Sequence, residues 1–257
     1  MNTFFSISKV LTGKGMVGFG LLTLTFFANV SAAIATENQQ SGRVIYEHVI
    51  NLHAALSPSQ QAMKSMIPKE RVSHLELSFT PKSYRLTTKP QDQGAVRTAT
   101  FDKNNSTLVD IASSMQIRIG EMVGIPYQMQ TPVTTLNNIR LQPETTFILE
   151  LEVKRLTGTA TINDKERNVE IWYSSVLPTH FSPFPISGVP GAVLSMTVGE
   201  DYWRYAATHI SFETIADSEF VVPAGHRMVT PEQLQDLQEE AIDEFRRSGA
   251  QVLSSKG

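Results

Sequence analysis

Residues 156–173 read LTGTATINDKERNVEIWY, and the fold turns on them. Two runs, Leu156 to Ile162 and Arg167 to Tyr173, flank Asn163-Asp164-Lys165. β-branched and aromatic side chains suit a pleated, half-buried surface, while Asn and Asp tolerate the backbone of a tight turn. The stretch predicts a β-hairpin. Just upstream, Thr145 to Val153 (TTFILELEV) puts Phe147, Leu149, Leu151 and Val153 on one face and Glu150 and Glu152 on the other, as in a half-buried strand. Just downstream, Ala192 to Val198 and Tyr202 to Thr214 predict a second pair, turning at Gly199-Glu200-Asp201.

The same period runs toward the N-terminus. Arg43 to His53, Val72 to Phe79, Lys82 to Thr88, Ala95 to Phe101, Ser106 to Ile111 and Met115 to Ile119 predict short strands. Asp102-Lys103-Asn104-Asn105 has a hairpin turn's composition. Strands joined by polar turns argue for an antiparallel meander rather than βαβ units. A short helix is expected to start at Ser57-Pro58-Ser59-Gln60 and stop near Met66, before Pro68. A longer one opens at Thr230-Pro231-Glu232-Gln233, repeats Leu234, Leu237, Ala241, Ile242 and Phe245 at helical spacing, and ends at Gly249. The expected fold is mainly β (α+β). It is a curved antiparallel sheet or partial barrel, with a short helix in the N-terminal half and an amphipathic C-terminal helix at about 230–248; a β-sandwich is the alternative. Inward side chains from Gly42 to Thr214 are expected to share one interior that the last helix seals.

The first 35 residues predict a secretory signal peptide. Lys9 and Lys14 precede a 12-residue apolar run, Met16 to Phe27, and Ala33-Ile34-Ala35 matches the A-x-A cleavage pattern. A spanning helix needs about 20 apolar residues, so no membrane span is expected after cleavage. Residues 36–257 are expected to form a single β-rich domain, exported to the periplasm or cell envelope of a Gram-negative bacterium. Cysteine is absent, which excludes disulfides, thiolate metal sites and a lipidated cysteine. Losing Lys9 and Lys14 takes the formal charge from −3 to about −5, without the clustered Lys and Arg of a nucleic-acid surface.

Familiar chemistry leaves little mark. No G-x-S-x-G, P-loop or dinucleotide motif occurs, and Glu150 and Glu152 read as a solvated strand face. The six histidines never take H-x-x-x-H spacing, and His48 and His53 are expected on opposite strand faces. Met63 and Met66 share a helical side, which keeps soft-metal (copper) binding as an alternative, although methionine is more often a core gap-filler. No catalytic residues, no metal ligands and no cofactor are assigned.

Trp172 to Leu194 (WYSSVLPTHFSPFPISGVPGAVL) stands apart. Pro178, Pro183, Pro185 and Pro190 remove backbone donors and stiffen a connection between strands. Gly188 and Gly191 allow positive φ or close backbone approach, and Phe181, Phe184 and Ile186 are apolar enough to be pinned into a core. A rigid crossover and a binding loop are both open readings. Trp172-Tyr173, Pro183-Phe184 and the segment Gly188-Val189-Pro190-Gly191-Ala192-Val193 (GVPGAV) resemble the signature of the GLPGLI family of exported bacterial proteins. Gly42 to Tyr46, Asn51 to His53, Ser57 to Pro68, Leu75 to Tyr84 and Pro223 to Phe245 extend the resemblance. It implies an envelope protein and carries over no catalytic residue.

The function expected is therefore non-catalytic binding or an accessory role, toward a hydrophobic small molecule or an envelope protein. Trp172, Tyr173, Phe181, Phe184, Gly188, Pro190 and Gly191 are the candidate ligand or partner loop. A hydrolase with a dispersed site is the other alternative.

Overall fold

A computed structural model describes residues 41–56, 58–89, 102–122, 124–177, 179–200 and 202–247. The segment 1–40, which holds the expected signal, and the expected strand Ala95 to Phe101 lie outside the described residues. The first half is a meander of six strands: β1 (Gly42–Asn51), β2 (Glu70–Phe79), β3 (Ser83–Thr88), β4 (Asp102–Asp110), β5 (Met115–Met122) and β6 (Ile125–Pro132). The two-residue β7 (Thr134–Thr135) leads into β8 (Asn137–Ile148), β9 (Leu151–Ile162) and β10 (Lys165–Ser174). After β11 (Ile186–Ser187) come β12 (Ala192–Val198), β13 (Trp203–Phe212) and β14 (Arg227–Met228). These strands form one 12-stranded sheet, in the order β14-β6-β5-β4-β3-β2-β1-β13-β12-β10-β9-β8, with β11 and β7 in a small parallel pair.

The architecture is the mainly β fold expected, as a large sheet not closed into a barrel. β1 is the seam, because antiparallel pairing with both β2 and β13 joins the two meanders. A right-handed twist of about 20–25° per strand pair forces so wide a sheet to curl. The consequence is one apolar cluster drawing on both halves: Val44, Tyr46, Leu77 and Phe79 from one, Val153, Leu156, Ile171 and Met196 from the other. The fully buried Tyr46 hydroxyl donates to the Val193 carbonyl at 2.5 Å, locking β1 to β12 across that interior.

Several expectations need correction. Thr145 to Val153 is not one strand but a hairpin, with Leu149 and Glu150 at φ 51° and 64° between β8 and β9. The face expected to be buried is thereby split: Val153 is buried, whereas Phe147 is 70% exposed. Asp102 to Asn105 is part of β4, paired with β5 across an irregular register, rather than a turn. β1 ends at Asn51, whose side chain caps the four-residue helix α1 (Leu52–Ala55). The short helix expected from Ser57-Pro58 to near Met66 is present as a 3-10 helix, Pro58–Ser65. His53 therefore leaves the strand, and its Nε2 meets the Ile67 carbonyl at 3.1 Å.

The long helix α2 (Pro231–Arg247) forms as expected, and Thr230 and Gln233 cap one another reciprocally at 3.0 and 3.3 Å. It does not seal the shared interior. Leu234 and Ala241 instead cover a separate cluster with Met122, Tyr127 and Val229 at the β5–β6 end of the sheet. The chain reaches that end along a strap held at Glu219. Its carboxylate accepts from Arg43 at 2.6 Å and Ser78 at 3.3 Å, and its carbonyl accepts from Arg85 at 2.8 Å.

The Leu149-Glu150 turn carries a prediction. A left-handed backbone costs an L-residue about 1–2 kcal/mol, and glycine escapes that cost. Glu150→Gly is expected to raise stability by about 0.5–1 kcal/mol after glycine's greater freedom in the unfolded chain is counted, read as a higher denaturant midpoint at unchanged slope. A lower midpoint would contradict the turn.

Candidate functional site

The loop between β10 and β12 turns inward. Phe181 lies buried with its ring centroid 4.7 Å from that of Phe79, and Ser182, Pro183, Pro185 and Ile186 are buried behind it. Its backbone is held at three places: Val193 N–H donates to the Phe181 carbonyl at 2.8 Å, Thr134 to Pro185 at 3.1 Å and Leu136 to Ser187 at 3.1 Å. At Phe181, Pro185 and Ser187 the loop is the acceptor, so proline's missing N–H costs nothing at Pro185. Gly191 passes so close to β10 that a Cβ there would collide with the Ser174 carbonyl oxygen. Gly188 sits at φ +93° against Leu136 and Ile139.

The candidate loop residues do not converge on one cavity. Tyr173 and Phe181 belong to the core, and Phe184 is half-buried against Trp203 at 5.8 Å. Gly188 and Pro190 are exposed, and Gly191 is buried. Trp172, one residue before the inward Tyr173, is half-buried and donates its indole N–H to Glu170 at 3.3 Å. The cavity beneath the loop measures about 60 Å³ and is lined by Tyr84, Asp110, His180, Phe181 and Ser182 among others. The Ser182 hydroxyl, though buried, has no hydrogen-bond partner among the described residues. Asp110 is occupied elsewhere, accepting from the Ser113 N–H and hydroxyl at 2.7 Å each, which holds its carboxyl below the usual range.

A second polar group sits inside the curl. His48 stacks on Tyr205 with centroids 4.2 Å apart and planes 4° from parallel, and Trp203 meets it edge-on at 6.4 Å. Its Nδ1 is 3.5 Å from the Ser73 hydroxyl, and its buried Nε2 has no partner among the described residues. Burial, with Arg71 adding to it, pushes the imidazole pKa down to about 4. The ring is thus neutral, and among the described residues no carboxylate sits on Nε2 to orient it as a general base.

Among the described residues no three His, Asp or Glu side chains are placed to hold a metal ion. Met66 is 80% exposed, whereas Met122 and Met196 are buried in the two apolar clusters, as gap-fillers are.

The larger concavity lies on the outward face of β8, β9, β10 and β12. It is an open groove of about 600 Å³. Asn138 and Arg140 form one wall, and Thr157, Thr159, Asn168 and Glu170 are among the residues between them and Thr197 and Glu200. Period-two alternation explains the lining: Val169 and Ile171 point inward, so Asn168 and Glu170 point outward, and Thr157 and Thr159 pair across from them. Register shifts in β8 at 137–140 and 141–145, with Asn138 at φ 51°, bend this edge strand. Asn138 donates to Thr159 at 3.0 Å and Gln142 to Thr157 at 3.1 Å. Glu170 accepts from Arg155 at 2.7 Å beside its bond to Trp172. Sequence reasoning misses these groove residues because their outward polar pattern is also that of an ordinary solvated strand, and it misses β8 as a strand of its own.

No family model matches the chain, and no curated protein matches it. Among solved structures, two crystal forms of PNGF-II resemble it, with TM-scores of 0.54 and 0.52 at 13% identity over 79% of this chain. The chain spans about a third of PNGF-II, 34% and 33% of the two chains. An uncharacterised conserved protein from Thermus thermophilus aligns over 78% of this chain and 97% of its own, at 9% identity and a TM-score of 0.38. At these identities the likeness to PNGF-II is one of fold.

Proposed function

We propose that this is an exported cell-envelope protein of the GLPGLI type, freed of a signal peptide near residue 35, whose single domain binds an envelope component without chemical change. The observation that carries this reading is the division of space in the sheet. Its own loop packs against the inner face over a cavity of about 60 Å³, while a groove of about 600 Å³ lies open on the outer face. Small-molecule clefts span about 300–1,000 Å³. The inner cavity is too small for a hydrophobic ligand of ordinary size, which favours an envelope component recognised from outside. Trp172 borders the groove through Glu170, whereas Phe181, Tyr173 and Gly191 serve by holding the loop that leaves the outer face as the binding surface.

Native mass spectrometry of the protein released gently from its own envelope tests this. The expected spectrum shows a chain beginning near residue 36 with a bound component. A chain retaining residues 1–35, or one that carries nothing, would count against it.

A further inference from the structure

We infer that the outer groove is a binding site for a neutral saccharide chain. This deepens the binding reading above and rests on it. The chemistry of the lining selects the class. Arg140 lines the groove with Glu170 and Glu200, and Arg155 pairs with Glu170 and Glu144 beside it, so the two arginines leave only one of the three carboxylates uncompensated and the groove suits neither phosphate-rich nor strongly cationic ligands. Its lining sets hydroxyl, carboxamide and charged side chains beside Gly158, Val169 and Gly199, with no large apolar or aromatic side chain among them, so it is an amphipathic surface rather than an apolar slot for an acyl chain.

Four of its polar side chains are available. Asn168 and Thr197 on neighbouring strands, Arg140 on one wall and Glu200 at the opposite rim make no side-chain hydrogen bond among the described residues. The remaining groups are held in place by one another: Asn138 on Thr159, and Glu170 between Arg155 and Trp172. A preorganised row of donors and acceptors with little net charge matches a ligand that offers closely spaced hydroxyls, each both donor and acceptor. The floor is strand, which fixes the spacing of these groups more firmly than a loop would.

The edge strand next to the groove is a poorer docking surface, despite exposed Ile139, Leu141 and Phe147. Pro143 and the two register shifts interrupt the ladder that an added strand would need.

The test uses the exported, signal-free protein and neutral oligosaccharides: malto-, chito- and manno-oligosaccharides and β-glucan fragments. Binding is measured by calorimetry and by amide shifts in NMR spectra. At least one series is expected to saturate, with shifts confined to the strands bearing Thr157, Asn168 and Thr197. Asn168→Ala combined with Thr197→Val keeps the inward face intact and is expected to weaken binding about tenfold, through the loss of two side-chain hydrogen bonds. An unchanged spectrum outside the groove establishes that the variant is folded. Saccharide binding that the variant leaves untouched overturns the site. If no saccharide binds but the envelope-purified protein carries another component that the double variant loses, the saccharide class is wrong and the binding reading survives. If neither ligand appears, both fall.

Discussion

Phe181→Ala is expected to lower the stability of the protein by about 3–5 kcal/mol, the cost of emptying a large aromatic site in a packed core. The side chain is 2% exposed and lies in contact with Phe79, which is fully buried on β2. Phe181 thus ties the loop between β10 and β12 to the opposite meander, and its carbonyl holds the Val193 N–H in addition. Loops usually run over the surface, where truncating a phenylalanine costs far less. Urea denaturation of the two proteins distinguishes the cases. A loss below about 1 kcal/mol would mean that the loop is peripheral to the core.

Acid should weaken the fold through His48. In the unfolded chain an imidazole takes up its proton near pH 6.5, whereas here burial holds the pKa at about 4. Between those values the unfolded state binds more protons, so stability is lost as pH falls from about 6.5 toward 4 and is fully present above 6.5. The gap corresponds to about 3 kcal/mol by pH 4. His48→Phe keeps the stack on Tyr205 and removes both the titration and the buried, unpartnered Nε2. The wild type is therefore expected to lose about 3 kcal/mol more than the variant between pH 7 and pH 4, measured by denaturation at each pH. Equal losses would show that the ring is protonated in the fold as readily as out of it.

Two neighbouring hairpins show what the sequence could disclose. Asn163 and Asp164 adopt φ 50° and 58°, and their identities announce the turn, because short polar side chains are common there. Leu149 and Glu150 adopt φ 51° and 64° with residues that announce nothing. Their turn is imposed by tertiary structure: Ile148, Leu149 and Leu151 pack on the core, and β9 must reverse to pair with β8. The period-two pattern of 145–153 is real as chemistry but belongs to two strands. Local propensity is likewise overridden at Asp102 to Asn105, where Asp102 and Lys103 pair with β5 and Asn104-Asn105 form an irregularity within the strand rather than a turn.

The proline-rich loop is legible as a rigid, apolar crossover, and Phe181, Ile186 and Gly191 behave accordingly. Its role as the filling of the curl is not, since nothing local says which way a loop folds. The groove is hidden for a related reason. Thr157, Thr159 and Asn168 carry the polarity of any outward strand face, and only the register of three strands and the bends of β8 gather them into a concavity.

That the loop fills the interior, the premise of the proposed outer binding face, is most directly tested by amide hydrogen exchange at Thr134, Leu136 and Val193. Their N–H groups donate to the loop carbonyls of Pro185, Ser187 and Phe181. The account predicts that these three amides exchange as slowly as those of central β1, through unfolding of the whole sheet. Exchange at the rate of an exposed loop, with β1 still protected, would contradict it.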